Sequence, residues 1–127
     1  MIKILLTYPN LPLMMSPAMS MGLFNAIAKR MGCEVKLFET TQYSEQYNNR
    51  HIRMTEIGAS RQNKKEELED MFWIKDPKDI IPDFIECVED FNPDLILMSV
   101  QEDVWKMASQ LLDSISDKNI PHIVGGV

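Results

Sequence analysis

Apolar and polar residues divide the chain into four short apolar runs separated by longer mixed stretches. The apolar runs cover residues 2–7, 34–38, 95–98 and 120–127. The runs at 2–7, 95–98 and 120–127 are largely uninterrupted and predict strands that are buried in a parallel sheet. The run at 34–38 alternates apolar and polar residues, which is typical of a more exposed strand.

Two of the mixed stretches predict amphipathic helices in the first and last thirds of the chain. In the first helix Ser20 is the expected cap and Gly32 the stop, and its apolar stripe consists of Leu23, Phe24, Ile27 and Met31. In the last helix Asp103 is the expected cap and Asn119 the left-handed residue before Pro121. Its apolar positions match a helical period: Val104, Met107, Ala108, Leu111, Leu112 and Ile115.

A third helix is expected directly before the strand at 95–98. Asp79 can cap it, and Pro82 is tolerated because it falls in the first turn. The residues expected to face the core are Ile81, Phe84, Ile85 and Val88. The order of elements is therefore βαβαβαβ, and right-handed crossovers between successive strands make the sheet parallel with helices on both faces.

The predicted fold class is α/β, with a flavodoxin-like (Rossmann-like) parallel sheet in the strand order 2-1-3-4. Residues 1–127 have the size of one domain. A flavodoxin-like sheet usually has a fifth strand, so the chain is expected to be truncated before that strand and to belong to a longer protein. An uncovered edge strand favours pairing, and a homodimer of this piece is the corresponding expectation.

Residues 40–76 form a long polar excursion within the predicted domain. Its charged part at 64–70 is expected to be a short solvated helix. A surface excursion is the favoured interpretation. The alternative is a lid or docking surface, and its recognisable groups would be Tyr43, Tyr47, His51 and Arg53.

Charge and composition exclude several classes of function. The formal net charge of −6 provides no concentrated positive face for a nucleic acid or an anionic membrane. The first apolar run is too short for a signal peptide or a membrane span, which favours a cytoplasmic location. Cys33 and Cys87 are far apart and have no metal-ligand spacing, so reduced thiols are expected.

No catalytic motif or metal site is recognisable in the sequence. GxSxG, HExxH and phosphate-loop patterns are missing, and no catalytic residue is assigned. A receiver domain would need acidic residues where Thr7, Tyr8 and Ser99 stand. Methionines at 14, 15, 19 and 21 could in principle bind Cu(I), but an adaptable apolar lining for a large ligand is favoured.

The candidate ligand site is the edge of the sheet at which the parallel strands end. Ligands of open α/β sheets bind at the carboxyl ends of the strands. Ser99 follows the third apolar run and Gly125 and Gly126 end the fourth, so two neighbouring strands deliver small or polar positions to one edge. Glycine there permits a positive φ and close approach of a ring.

Four segments together resemble a known family: residues 2–10 (IKILLTYPN), 21–40 (MGLFNAIAKRMGCEVKLFET), 92–100 (NPDLILMSV) and 120–127 (IPHIVGGV). In order and spacing they are similar to the amino-terminal cobalamin-binding domain of cobalamin-dependent radical S-adenosylmethionine enzymes. This group includes magnesium-protoporphyrin monomethyl ester cyclases and methyltransferases.

The resemblance implies a cobalamin-binding module of a larger methyltransferase or cyclase. Its cofactor-binding residues would be Tyr8, Asn10, Ser99, Val100, Gln101, Gly125 and Gly126. The DxHxxG motif is missing, so cobalamin would bind without a histidine lower ligand. S-adenosylmethionine and an iron–sulfur cluster would belong to a downstream radical domain. The alternatives are a non-binding docking domain of the same fold and a small flavin or nucleotide binder.

Overall fold

Four parallel strands form one sheet in the order β2-β1-β3-β4, as predicted from the sequence. They are β1 (Lys3–Tyr8), β2 (Glu34–Glu39), β3 (Leu95–Ser99) and β4 (His122–Gly125). This architecture comes from a computed structural model, which describes residues 1–10, 19–43 and 75–126. All three strand pairings are parallel, so the strands end at one common edge.

In the described ranges, three helices cover the two faces of the sheet unequally. Helix α1 (Met19–Arg30) packs on one face, where Met21 and Ala28 contact Ile4 and Leu6. Helices α2 (Ile80–Phe91) and α3 (Trp105–Ser114) pack on the opposite face. There the core includes Leu5, Phe84, Val88, Ile96, Ala108 and Leu111, and burial of each larger side chain contributes about 1.5–3 kcal/mol.

The predicted left-handed cap of the last helix lies further along the chain than the helix itself: α3 ends at Ser114, and Asn119 ends a 3₁₀ turn, Ser116–Lys118, that follows it. Neither Asp79 nor Asp103 forms the predicted side-chain cap. Asn92 and Asn119 are left-handed, with φ of 49° and 53°. Asp79 makes no side-chain cap, because a 3₁₀ turn at Pro77–Asp79 precedes α2 and the Asp76 carboxylate accepts the N–H of Lys78 at 3.0 Å. Asp103 lies inside a second 3₁₀ turn, Glu102–Val104, and α3 begins after it.

The predicted core stripe of α1 is wrong. Leu23, Phe24, Ile27 and Met31 are 40% to 75% exposed, and Met21 and Ala28 are the buried residues. Ser20 lies inside the helix and does not cap it. Apolar residues occur on several sides of α1, so the sequence pattern does not select one face for the core. The small side chain of Ala28 allows the helix to approach the sheet closely.

Strand β4 is not buried on both faces as predicted. It lies at the edge of the sheet, and Ile123 is 61% exposed. The strand is also shorter than the apolar run at 120–127, because Pro121 precedes it and Gly126 follows it. Among the described residues, no helix covers its α1 side.

The two ends of the polar excursion meet. Tyr43 and Lys75 form a parallel β-bridge, and the Lys75 N–H donates to the carbonyl of Gln42 at 2.9 Å. The buried Tyr43 hydroxyl donates to Asp83 Oδ2 on α2 at 2.6 Å, and Lys75 Nζ lies 3.8 Å from the same oxygen. The predicted helix at 64–70 and residues Tyr47, His51 and Arg53 lie outside the described ranges.

Candidate functional site

A cleft of about 380 Å³ lies where β3 and β4 end, on the side of α3. The Val100 N–H donates to the Gly125 carbonyl at 2.8 Å, which extends the pairing of the two strands one step beyond β3. The chain then turns through Gln101 into the 3₁₀ turn before α3. The cleft is lined by Val100, Gln101, Glu102, Trp105, Val124, Gly125 and Gly126.

The backbone conformation at position 126 requires a glycine. Its φ is +140°, and a Cβ at this position would collide with the carbonyl group of Val100. Only glycine adopts this backbone conformation without strain. The close contact therefore accounts for Gly126 without a bound ligand.

Gly125 differs from Gly126, because the space around it is open. A Cβ at Gly125 would meet no atom within 4 Å. It pairs in register with Ser99 at the end of the neighbouring strand. Gly125 is therefore the glycine at which a bound ring could approach the backbone.

Trp105 is a cleft residue that the sequence analysis missed. It is the first residue of α3 and is 56% exposed beside the glycines. A partly exposed indole beside glycine backbone provides a flat apolar surface for a planar ring. The sequence offered one indication of this role: Trp105 is an aromatic residue that follows Val104 but does not belong to the apolar stripe of the last helix, and it comes shortly after β3.

Ser99 faces the opposite side of the sheet. Its hydroxyl lies 3.5 Å from the Ser20 hydroxyl of α1, a contact that ties the helix to β3. Ser99 is in register with Gly125, so it borders the same edge of the sheet without lining the cleft.

Tyr8 lies in a separate cleft of about 450 Å³ between α1 and β2. The floor of this cleft is apolar, and its polar groups come from Tyr8, Asn25, Lys29 and Glu39. Burial raises the pKa of the Tyr8 hydroxyl, and the negative charge of Glu39 raises it further. The hydroxyl therefore remains protonated at neutral pH and can donate a hydrogen bond.

Asn10 belongs to a buried polar network between the loops that follow β1 and β2. Its N–H donates to Thr40 Oγ1, and that hydroxyl donates to the Asn10 carbonyl, both at 2.8 Å. Asn10 Nδ2 donates to Thr41 Oγ1 at 3.2 Å. These bonds hold the two loops together and give Asn10 a structural role.

The seven predicted cofactor-binding residues therefore separate into three places. Val100, Gln101, Gly125 and Gly126 line one cleft, and Ser99 lies at its edge. Tyr8 lines the second cleft and Asn10 belongs to the loop network.

No histidine lines the cleft at β3 and β4. His122 begins β4, about 10 Å along the strand from Gly125. Among residues 1–10, 19–43 and 75–126, no group of three or more His, Cys, Asp or Glu residues could hold a metal ion. Nor is any helix in these ranges long and apolar enough to cross a membrane.

Comparison with protein-family models, with curated proteins and with solved structures found no match to this chain.

Proposed function

We propose that the cleft at the ends of β3 and β4 binds cobalamin, and that the chain is the cobalamin-binding module of a larger radical S-adenosylmethionine enzyme acting as a methyltransferase or cyclase. The observation that carries the proposal is the open backbone at Gly125 beside the exposed indole of Trp105. The choice of cobalamin among planar ring cofactors rests on the resemblance of the four sequence segments to cobalamin-binding domains.

The cleft would hold only a part of cobalamin. A volume of about 380 Å³ accepts one edge or one ring of a cofactor of that size, and the remainder would extend over the ends of the strands. Trp105 would stack on a ring, Gly125 would allow close approach, and Gln101 would donate or accept a hydrogen bond. When bound, cobalamin supplies a cobalt centre that carries methyl groups.

The lower ligand of cobalt would not be a histidine of this cleft, because none of its lining residues is a histidine. The chain would act by binding and orienting the cofactor for a downstream domain that holds S-adenosylmethionine and the iron–sulfur cluster. A cytoplasmic location belongs to the same proposal.

The test is titration of the protein with hydroxocobalamin, followed by equilibrium dialysis and visible absorption. We expect saturable binding at micromolar protein and no spectral sign of a new bond from histidine to cobalt. His122→Ala should bind equally well, because His122 lies at the other end of β4.

The result that contradicts the proposal is a lack of saturable binding by a chain that remains folded by circular dichroism. Saturable binding of flavin mononucleotide without binding of cobalamin would favour the flavin alternative. Binding of neither would favour the docking domain, an alternative that the apolar outer face of α1 supports.

A further inference from the structure

Helix α1 has an apolar face that points away from its own sheet. Leu23 is 59% exposed, Ile27 46% and Met31 75%, and Phe24 on the flank is 40% exposed. A contiguous patch of exposed apolar side chains commonly marks a surface that binds a partner. The outer face of α1, defined by these four residues, lacks a covering surface within the described part of the chain.

Within residues 1–10, 19–43 and 75–126, no helix covers a strip of the sheet beside α1. Leu97 of β3 and Ile123 of β4 are paired in register, and both lie on the same face as Leu6. Leu97 is half-buried and Ile123 is 61% exposed. This β3–β4 strip is two strands wide, or about 10 Å, and this width equals the diameter of one helix.

The outer face of α1 and the β3–β4 strip form one continuous surface. The hydroxyl of Ser20 lies 3.5 Å from that of Ser99, so the flank of α1 that carries Ser20 borders β3. Phe24 and Ile27 follow Ser20 at helical spacing and lie on the same flank. The side chains that define this surface are apolar, and Arg30 follows Ile27 near its end, whereas Lys29 lies in the cleft between α1 and β2.

We infer that this surface binds a second copy of the chain about a twofold axis, with α1 of each copy lying on the β3–β4 strip of the other. In the described part of the chain no helix lies on the strip and no apolar surface lies on the outer face of α1, and a second copy would supply both at once. A twofold contact requires this self-complementarity.

The size of the surface is sufficient for such a contact. The exposed parts of its large apolar side chains amount to about 500 Å² per copy. These side chains are Leu23, Phe24, Ile27, Met31 and Ile123. A pair would therefore bury about 1,000 Å², which is the lower limit for a specific interface. Apolar residues at the centre and an arginine at the end match the usual anatomy of an interface.

Sedimentation velocity across the micromolar range tests the dimer. The unmodified chain should sediment as a dimer, and Ile27→Glu or Ile123→Glu should weaken association at least tenfold with unchanged circular dichroism. Trp105→Glu is the matched control, since Trp105 is equally exposed but belongs to a helix on the opposite face. A monomer at every concentration, or equal weakening by all three variants, overturns the inference.

Cross-linking between two single variants tests the geometry. An Ile27→Cys chain mixed with an Ile123→Cys chain should give a heterodimer linked between positions 27 and 123, identified by mass spectrometry after a short bismaleimide treatment. Because each variant carries one of the two new thiols, this link can form only between copies. A dimer in which only positions 123 and 123 are linked would indicate pairing of β4 edges and overturn the proposed arrangement.

Discussion

At the scale of single residues, the two glycines that end β4 have different tasks. Gly126 is required by its φ of +140° and by the carbonyl of Val100, whereas Gly125 has open space around it. A substitution at Gly126 therefore changes the fold, and a substitution at Gly125 changes the surface of the cleft. Substitutions at the two positions therefore separate the role of Gly126 in folding from the proposed role of Gly125 in binding.

Gly126→Ala should destabilise the protein by about 2 kcal/mol or more, because the new Cβ would force the backbone away from Val100. Urea unfolding followed by circular dichroism measures this loss. Gly125→Ala is the matched control and should change the free energy of unfolding by less than about 1 kcal/mol. Equal losses in the two variants would show that the path of the chain after β4 differs from the one described.

Trp105 could not be identified from periodicity. The apolar stripe of α3 was predicted correctly at Ala108 and Leu111, both fully buried. Periodicity identifies the residues that face the core. Trp105 lies outside that stripe, and its place beside the end of β4 becomes visible only in the folded structure. For the same reason the sequence predicted the correct edge of the sheet for Tyr8 and Asn10. It did not predict that Tyr8 lines a second cleft and that Asn10 belongs to a buried polar network.

At the scale of elements, the contact between Tyr43 and Asp83 holds the segment that follows β2 to α2. Tyr43 is 3% exposed, and its hydroxyl donates to Asp83 at 2.6 Å. Burial raises the pKa of Tyr43 well above its usual value, and the hydrogen bond to Asp83 and the charge of that carboxylate raise it further. The folded protein therefore retains the phenolic proton at pH values at which an unfolded chain loses it.

This pKa shift predicts a loss of stability at alkaline pH. Above about pH 10 the unfolded state releases the Tyr43 proton and the folded state does not, so the free energy of unfolding decreases as pH rises. Tyr43→Phe should cost about 1 kcal/mol at pH 8 and should flatten the decrease between about pH 9.5 and 11. Urea unfolding at several pH values measures both effects. An unchanged alkaline slope in Tyr43→Phe would contradict this account.

The β-bridge between Tyr43 and Lys75 makes residues 44–74 an insertion whose ends are adjacent. We expect that replacing 44–74 with a short Gly-Ser linker leaves the sheet and both helix layers intact, since loop closure between adjacent ends costs little. Circular dichroism and urea unfolding of the shortened chain test this expectation. Loss of cooperative unfolding would show that 44–74 contributes to the core.

The elements themselves were largely predictable, and the orientation of α1 was not. Uninterrupted apolar runs set the central strands β1 and β3, and Asn119 was correctly predicted to be left-handed, although α3 itself ends earlier, at Ser114. Helix α1 is apolar at Leu23, Ile27 and also Met21, so several rotations about its axis satisfy the pattern. Packing of Ala28 on the sheet and the contact between Ser20 and Ser99 select the observed one.

At the scale of the whole molecule, two surfaces of different character lie on opposite sides of β4. The cleft with Trp105 lies on the side of α3, and the β3–β4 strip lies on the side of α1. A dimer formed through the strip would leave the cleft accessible. The proposed cofactor binding and the proposed self-association can therefore be tested separately.

The most direct test of the central claim is equilibrium dialysis of hydroxocobalamin against two matched variants, Gly125→Leu and Gly22→Leu. Both positions have open space around them, but only Gly125 lines the cleft at β3 and β4. We predict that Gly125→Leu weakens binding at least tenfold, because its side chain occupies the place of the ring, and that Gly22→Leu binds as the unmodified protein does. Equal affinity of the two folded variants would contradict the account.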